Sequence, residues 1–185
     1  MSQRSGDGEG RGRRNRRRAR RASRRKETPR RVKRVRCVGG LRKRNNAKHV
    51  GEMAEMQFML DAARRGFGVA KPFGNNERYD VIVDAPRRLW RVQVKASGAR
   101  HHKGFAVRAC WRTTKKHMPY TSKQIDFLAV VIQGKRMRGK RIWYLIPVRA
   151  LGGRLHINLY PFGCRKDGEE RFEKYRGAWG LLEKA

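Results

Sequence analysis

The sequence predicts a mixed α/β (α+β) fold in which helices flank a mostly β centre. Three observations carry this prediction. An apolar spacing typical of a helix follows residue 50, two neighbouring runs over 79–95 alternate like strands, and residues 125–132 are nearly continuously apolar. Residues 1–46 are rich in Arg, Gly, Ser and Lys and poor in apolar residues, which predicts a disordered basic arm. Residues 47–185 are then expected to form one domain.

The first predicted element is a helix over residues 50–65, with Gly66 as a plausible stop. Its apolar residues recur at helical spacing: Met53, Met56, Leu60 and Ala63. The predicted strands lie at residues 68–70, 79–84, 89–95, 105–107, 125–132, 142–146 and 155–160. The run 125–132 predicts a central strand buried on both faces, and the alternation over 155–160 predicts a half-exposed edge strand. A final helix is expected over 169–182, with Gly177 and Gly180 as candidate breaks.

The two alternating runs hold the polar residues of greatest interest. The turn residues 85–88 between them predict an antiparallel hairpin. The period of two places Asp80 on one face of the first run, and it places Gln93 and Lys95 together on one face of the second. A carboxylate that binds a hard divalent cation, next to a lysine that orients water, is suited to metal-assisted phosphodiester hydrolysis.

The charge of the chain indicates a polyanionic partner. The chain has 49 Lys and Arg against 15 Asp and Glu, a net charge of +34. Residues 1–48 hold 21 of these basic residues and three acids, so a large positive excess also remains in residues 49–185. Such a chain binds nucleic acid by neutralising phosphates and releasing counterions. A basic tail without a function is the alternative for the arm.

Cysteines and hydropathy exclude other classes. The three cysteines, Cys37, Cys110 and Cys164, are scattered and form no CxxC pair, so neither a disulfide framework nor a zinc site is indicated. No secretory apolar region or membrane span is found. We therefore expect an intracellular protein, cytoplasmic or nucleoid-associated, with no membrane partner.

Three motifs in order resemble a known family. They are the segment 51–55 (GEMAE) on the first helix, 78–80 (RYD), and 91–95 (RVQVK). Together they resemble the PD-(D/E)XK nuclease superfamily, with greatest similarity to the endonucleases associated with group I introns. The resemblance to archaeal Holliday-junction resolvases is more distant. It extends over residues 47–182 and implies a restriction-endonuclease-like core, a mixed central β-sheet flanked by helices.

The resemblance implies a role for each catalytic candidate. Asp80 and Glu55 match the acids that hold a divalent metal, Mg²⁺ first and Mn²⁺ as the alternative. Lys95 matches the catalytic lysine. Gln93 stands where most of the superfamily has Asp or Glu, a variant that the intron-associated branch shares. Tyr79 replaces the proline of the motif.

The residues alone leave alternatives open. Glu52 faces nearly the same way as Glu55 on a helix, and Asp84 shares the strand face of Asp80. Lys95 could instead form a plain ion pair with Asp80. The candidate nucleic-acid contacts are Arg78, Ser97, His102, Lys103, Arg112, Lys115 and Lys116.

The function expected from these observations is a metal-dependent DNA endonuclease of the homing, intron-associated type. Its partner is double-stranded DNA, and a dimer or tetramer is expected because cutting both strands needs two sites. Three alternatives stay open: a junction resolvase, a nucleic-acid-binding protein with a degraded nuclease site, and a basic RNA-associated protein. The last fits the arm but leaves the hairpin motif unexplained.

Overall fold

The structure, a computed structural model, describes residues 47–74, 76–98, 100–101, 104–133, 140–163 and 170–184. The predicted arm therefore stays a prediction, and His102 and Lys103 lie outside the described residues. Within these ranges no helix is long and apolar enough to span a membrane.

The described elements run from one long helix through ten strands to two short turns of 3-10 helix. In chain order they are α1 (Ala47–Ala63), β1 (Gly68–Ala70), β2 (Val81–Ala85), β3 (Arg88–Ser97), β4 (Arg100–His101), β5 (Gly104–Arg108), β6 (Cys110–Arg112), β7 (His117–Pro119), β8 (Phe127–Ile132), β9 (Ile142–Pro147), α2 (Val148–Leu151), β10 (His156–Leu159), η1 (Glu173–Tyr175) and η2 (Trp179–Leu181).

A five-stranded mixed sheet with the strand order β1-β2-β3-β8-β9 forms the centre. β3 and β8 are parallel, with Val92 opposite Phe127, and the other neighbours are antiparallel. All six residues of β8 are buried, because its alternate side chains enter two different apolar layers. The predicted central strand and the predicted β2–β3 hairpin are therefore both confirmed.

The helix α1 covers one face of this sheet, and the predicted helix is confirmed. Its buried side chains, Ala54, Phe58 and Ala62, are spaced by four residues. The two alanines bring the helix close to the sheet, and the Phe58 ring centroid lies 5.4 Å from that of Trp143 and 5.3 Å from that of Trp179. The residues whose spacing predicted the helix are not the ones that pack, since all four are exposed: Met53, Met56, Leu60 and Ala63.

The other face carries a three-stranded sheet of order β10-β5-β4 and the small hairpin β6–β7. β10 is an edge strand whose residues alternate between exposed and buried, as predicted. The strands β4, β6 and β7 escape sequence reasoning because two or three residues are too few to show a period. This second sheet matters for function because it stands beside the end of β3 that carries Lys95.

The predicted closing helix is wrong in form. The described residues after 170 hold only η1 and η2, separated at Gly177, whose φ of 61° is left-handed. The Gly177 N–H donates to the carbonyl of Trp143 at 2.8 Å. Tertiary hydrogen bonding therefore replaces the helical ladder at one of the two glycines predicted as breaks.

Candidate active site

The hairpin places Asp80 and Gln93 together where β2 begins. β3 has ten residues and β2 only five, and β2 starts at Val81 opposite Val92. Beyond that point β3 has no partner on its β2 side, so its amide groups need other acceptors. The Asp80 carboxylate fills this need, since its Oδ2 accepts the Val94 N–H at 2.8 Å and also a hydrogen bond from Gln93 Nε2. Asp80 is thus fixed by the backbone of β3.

Burial changes the acidity of Asp80. Desolvation raises the pKa of this carboxyl from 3.8 to about 6, and the nearby charge of Glu55 adds to the rise. The Val94 N–H and the ammonium groups of Lys95 and Lys71 act in the opposite direction. A half-buried carboxyl with a raised pKa and several charged neighbours is typical of a functional site.

Of the two glutamates on α1, the structure favours Glu55 as the partner of Asp80. The Glu55 side chain is 18% exposed and its charge acts on Asp80, and its Oε2 accepts a hydrogen bond from Lys71 Nζ at 2.7 Å. The Glu52 side chain is 46% exposed and lies 3.9 Å from Lys48 on the outer helix surface. Glu52 is therefore the weaker candidate.

Asp84 does not share the site. It is exposed, lies opposite Gly68 and Leu89 near the turn of the hairpin, and is four residues along the strand from Asp80. At the rise of an extended strand this separates the two residues by about 13 Å. The two carboxylates cannot bind the same ion.

Lys95 lies on β3 two residues beyond Gln93, on the same face of the strand. Its side chain is half-buried, and its Nζ is 6.0 Å from the centre of the Tyr120 ring. Tyr120 is buried, and desolvation together with the charge of Asp80 raises the pKa of its phenol. Tyr120 thus stays protonated and gives Lys95 an aromatic wall.

Sequence reasoning missed both Tyr120 and Lys71 as parts of this site. Lys71 follows β1, and β1 pairs with β2 so that Ala70 lies opposite Ile82. The end of β1 therefore reaches the start of β2, next to Asp80. If an antiparallel pairing of β1 with β2 had been assumed from the sequence, it would have placed Lys71 next to Asp80. Tyr120 gave no comparable signal, because its position depends on the hairpin β6–β7.

A cleft of about 600 Å³ opens beside Lys95, between the end of β3 and the second sheet. Ser97 lies in its wall, but Ser97 is buried and its hydroxyl donates to the Ala106 carbonyl at 2.9 Å. This hydroxyl joins the two sheets, and the predicted contact of Ser97 with a phosphate stays a prediction. The rim of the cleft is basic and includes Arg108 and Arg112.

The remaining described nucleic-acid candidates are all exposed: Arg78, Arg112, Lys115 and Lys116. The Arg78 guanidinium lies 3.8 Å above the ring of Trp111, which holds it over the β6–β7 hairpin. Lys115 and Lys116 occupy the tip of that hairpin, where the Thr113 hydroxyl accepts both of their backbone N–H groups. These cations share one side of the molecule with the mouth of the cleft.

The donor set fits a hard divalent cation with few protein ligands. In the part of the chain that the structure describes, no group of three or more His, Cys, Asp or Glu side chains is placed to hold a metal. Two carboxylates and one amide are present instead, Asp80, Glu55 and Gln93. Magnesium binds oxygen and commonly keeps several waters, using only one or two protein carboxylates. A site with two acids is therefore sufficient, although its charge is low.

Comparisons with known proteins identify the family and the fold. A family model described as PD-(D/E)XK endonuclease matches residues 45–180. The structure of a bacterial homing endonuclease is similar, with a TM-score of 0.62 and 26% identity over 74% of this chain and 93% of that chain. No curated protein matches the chain.

Two solved structures are less similar. The crystal structure of MepB gives a TM-score of 0.40 and 14% identity over 65% of this chain and 94% of that chain. A Holliday junction resolvase from the archaeon Archaeoglobus fulgidus gives 0.38 and 14% over 62% and 90%.

Proposed function

The chain belongs to the PD-(D/E)XK endonuclease family, and we propose that it is a divalent-metal-dependent DNA endonuclease of the homing type. One observation carries the proposal above the others. The half-buried Asp80 carboxylate is anchored by the backbone of β3, with Gln93 and Lys95 on the neighbouring strand positions and Glu55 close enough for its charge to act on Asp80. The homing type is supported by the similar bacterial homing endonuclease.

Asp80 and Glu55 would hold the metal, with Mg²⁺ as the first candidate ion and Mn²⁺ as the second. When bound, the cation supplies Lewis-acid stabilisation of the negative charge that develops on the phosphate. Asp80 Oδ2 is already occupied by the Val94 N–H and by Gln93, which fixes the direction of the carboxylate. This anchoring also fixes the direction of the other oxygen, Oδ1. A rigid strand can position a metal ligand in this way.

Lys95 would hold the attacking water and offset charge on the scissile phosphate. Its place on β3 is rigid, because β3 pairs with β8 along its whole second half, with Lys95 opposite Val130. Gln93 would keep Asp80 in position. Its Nε2 makes that contact, so its amide oxygen Oε1 can accept a hydrogen bond from a water next to the metal. Both proposed roles of Gln93 need only an amide, so a neutral residue is compatible with position 93.

The DNA backbone would cross the mouth of the cleft. Arg78, Arg112, Lys115 and Lys116 lie on that side and are suited to phosphate contacts that position the duplex without reading its sequence. We also propose that residues 1–46 form an Arg-rich arm that adds further phosphate contacts to the domain formed by residues 47–185. Such contacts increase affinity in a salt-dependent way.

A homo-oligomer, dimer or tetramer, is part of the proposal. One chain has one Asp80 and one Lys95, hence one site, and double-strand cleavage at a defined position needs two. The partner is double-stranded DNA. A second subunit would present its site to the opposite strand.

Cleavage of a supercoiled plasmid and of a four-way DNA junction, with magnesium or with chelator, tests the proposal. The variants are Asp80→Ala and Lys95→Ala, each compared with the wild type at equal DNA occupancy. Two matched controls remove the same charges elsewhere: Asp84→Ala at the far end of the same strand, and Lys48→Ala on the outer surface of α1.

Magnesium-dependent cutting that is lost in both site variants and kept in both controls is the expected result. A preference for the junction over the plasmid would reassign the protein as a structure-selective resolvase. Tight DNA binding without cutting in any metal would overturn the proposed activity and leave a nucleic-acid-binding protein with the nuclease fold.

A further inference from the structure

The ammonium of Lys71 occupies one of the two carboxylates proposed to bind metal. Its Nζ lies 2.7 Å from Glu55 Oε2, sixteen residues away in sequence. An unperturbed lysine is protonated at neutral pH, so this contact joins two opposite charges. Lys71 therefore places a positive charge at the edge of the acidic part of the site.

The position of Lys71 follows from the sheet. β1 runs antiparallel to β2 and ends at Ala70 opposite Ile82. The next residue, Lys71, therefore lies beside the start of β2. The backbone thus delivers this lysine to Asp80, while α1 delivers Glu55 from the adjoining side. The contact depends on the central fold and joins two separate elements.

The charges of the site balance without any metal. Glu55 and Asp80 carry two negative charges when ionised, and Lys71 and Lys95 carry two positive ones. Gln93, which contacts Asp80, is neutral and adds no negative charge. A divalent cation therefore meets a site with no net negative charge unless one of the ammonium groups withdraws.

Lys71 is the ammonium placed to withdraw. Its side chain is 46% exposed, and it is joined to Glu55 at the edge of the site rather than enclosed by it. Lys95, by contrast, is half-buried next to the Tyr120 ring. An ammonium at hydrogen-bond distance and a hard cation both require the same carboxylate oxygens, so they compete for them.

We propose that Lys71 is a built-in competitor of the metal ion: it neutralises Glu55 in the metal-free protein and must leave that carboxylate before a divalent cation binds through it. Lys71 thereby sets the metal affinity of the site and keeps it low. This inference rests on the proposed function, because it assumes that Glu55 and Asp80 are the metal ligands.

The test is calorimetric titration of the full-length protein with Mg²⁺ and with Ca²⁺, without DNA. Lys71→Met removes the competing charge and keeps the length and apolar stem of the side chain. Lys71→Arg keeps a cation at the same place. Lys48→Met is the matched control, because it removes one lysine charge from an exposed contact with Glu52 and leaves the contact with Glu55 in place.

The expected result is a metal affinity roughly five- to tenfold higher for Lys71→Met, the range expected when a charged hydrogen bond of a partly exposed pair is lost. Lys71→Arg should stay close to the wild type, and Lys48→Met should bind within about twofold of it, since exposed pairs contribute little. A second readout is the rise in melting temperature on adding Ca²⁺, which should be larger for Lys71→Met. This rise also shows that the variant is folded.

The possible failures are distinguishable. If the wild type binds metal and Lys71→Met binds it equally or more weakly, the competition is refuted while the metal site stands. Equal gains for Lys71→Met and Lys48→Met would also refute it, because the effect would then come from overall charge. If no variant binds metal by either readout, the metal site fails, and the proposed metal-dependent function fails with it.

Discussion

Replacing Gln93 with Glu gives the most demanding test of the site geometry. Gln93 is 7% exposed and donates a hydrogen bond to the half-buried carboxylate of Asp80. The substitution keeps the size of the side chain, removes this donor, and places a second carboxylate against the first. It also restores the acid that most members of the family carry at this position.

The expected cost in the metal-free protein is large. Two charges about 4 Å apart repel by about 4 kcal/mol at an effective dielectric constant of 20, and the lost hydrogen bond to a charged acceptor adds about 1.5–3 kcal/mol. The pair can avoid the repulsion by keeping one carboxyl protonated. At pH 8 this costs about 5 kcal/mol for a Glu with an ordinary pKa of about 4.3, so the total cannot exceed that value. We therefore expect Gln93→Glu to lower the free energy of unfolding by about 3–5 kcal/mol at pH 8 in chelator.

The sign of the pH dependence follows from the raised pKa. The folded state holds the proton of the pair more tightly than the unfolded state, so the loss shrinks as the pH falls from 8 towards 5. A divalent cation should also recover stability, because binding to the folded state alone stabilises it. Urea denaturation at both pH values, with chelator and with millimolar Ca²⁺, measures these effects.

Gln57→Glu is the matched control. Gln57 also donates its amide to a carboxylate, Asp61 at 3.2 Å, but on the partly exposed surface of α1, where Arg64 and Arg141 lie within 4.0 Å of the same acid. Its cost should be under about 1 kcal/mol and insensitive to metal. If Gln93→Glu costs no more than this control at pH 8, the inferred contact between residue 93 and Asp80 is wrong. A failure of Ca²⁺ to recover stability would refute a metal shared by the two carboxylates.

Three further predictions concern Asp80, α1 and the arm. Because burial raises the pKa of Asp80 to about 6, its carboxylate removes stability as the pH rises from about 4 to 6. Asp80→Asn should therefore stabilise the metal-free protein by about 2–3 kcal/mol at pH 7.5 and by little at pH 4, in thermal melts with chelator, and equal effects at both pH values would contradict the desolvation. Phe58→Ala should cost about 3–5 kcal/mol in urea denaturation and Met56→Ala under about 0.5 kcal/mol, and the reverse order would restore the apolar face that the sequence suggested. Deletion of residues 1–46 should weaken DNA binding and reduce the slope of log affinity against log salt, measured by fluorescence anisotropy, whereas an unchanged slope would show that the arm makes no phosphate contacts.

The hairpin is the part of the site that sequence reasoning predicted well. Strict alternation around Val92 fixes which side chains of β3 enter the apolar core, so Gln93 and Lys95 had to share the other face. The residues between the two strands specified the turn. Local pattern was sufficient here because the strands are neighbours in sequence and each buries one face.

The face of α1 shows where the same reasoning fails. Met53, Met56 and Leu60 have the spacing of a buried stripe, yet the helix packs through Ala54 and Phe58. Spacing indicates which residues lie on a common face, but it does not decide which of two faces meets the sheet. That choice depends on how closely the backbone can approach the strands, and the small Ala54 side chain allows a closer approach than methionine does.

The sequence by itself determined that the chain is basic and where its main strands lie along the chain. It also placed a carboxylate, an amide and a lysine on one hairpin. The tertiary structure decided the rest of the site. Lys71 reaches Glu55 only because β1 pairs with β2 while α1 packs on the sheet beside them, and Tyr120 reaches Lys95 only through the short hairpin β6–β7. Such contacts join residues that are far apart in the chain, and short-range periodicity holds no information about them, because they depend on the packing of whole elements.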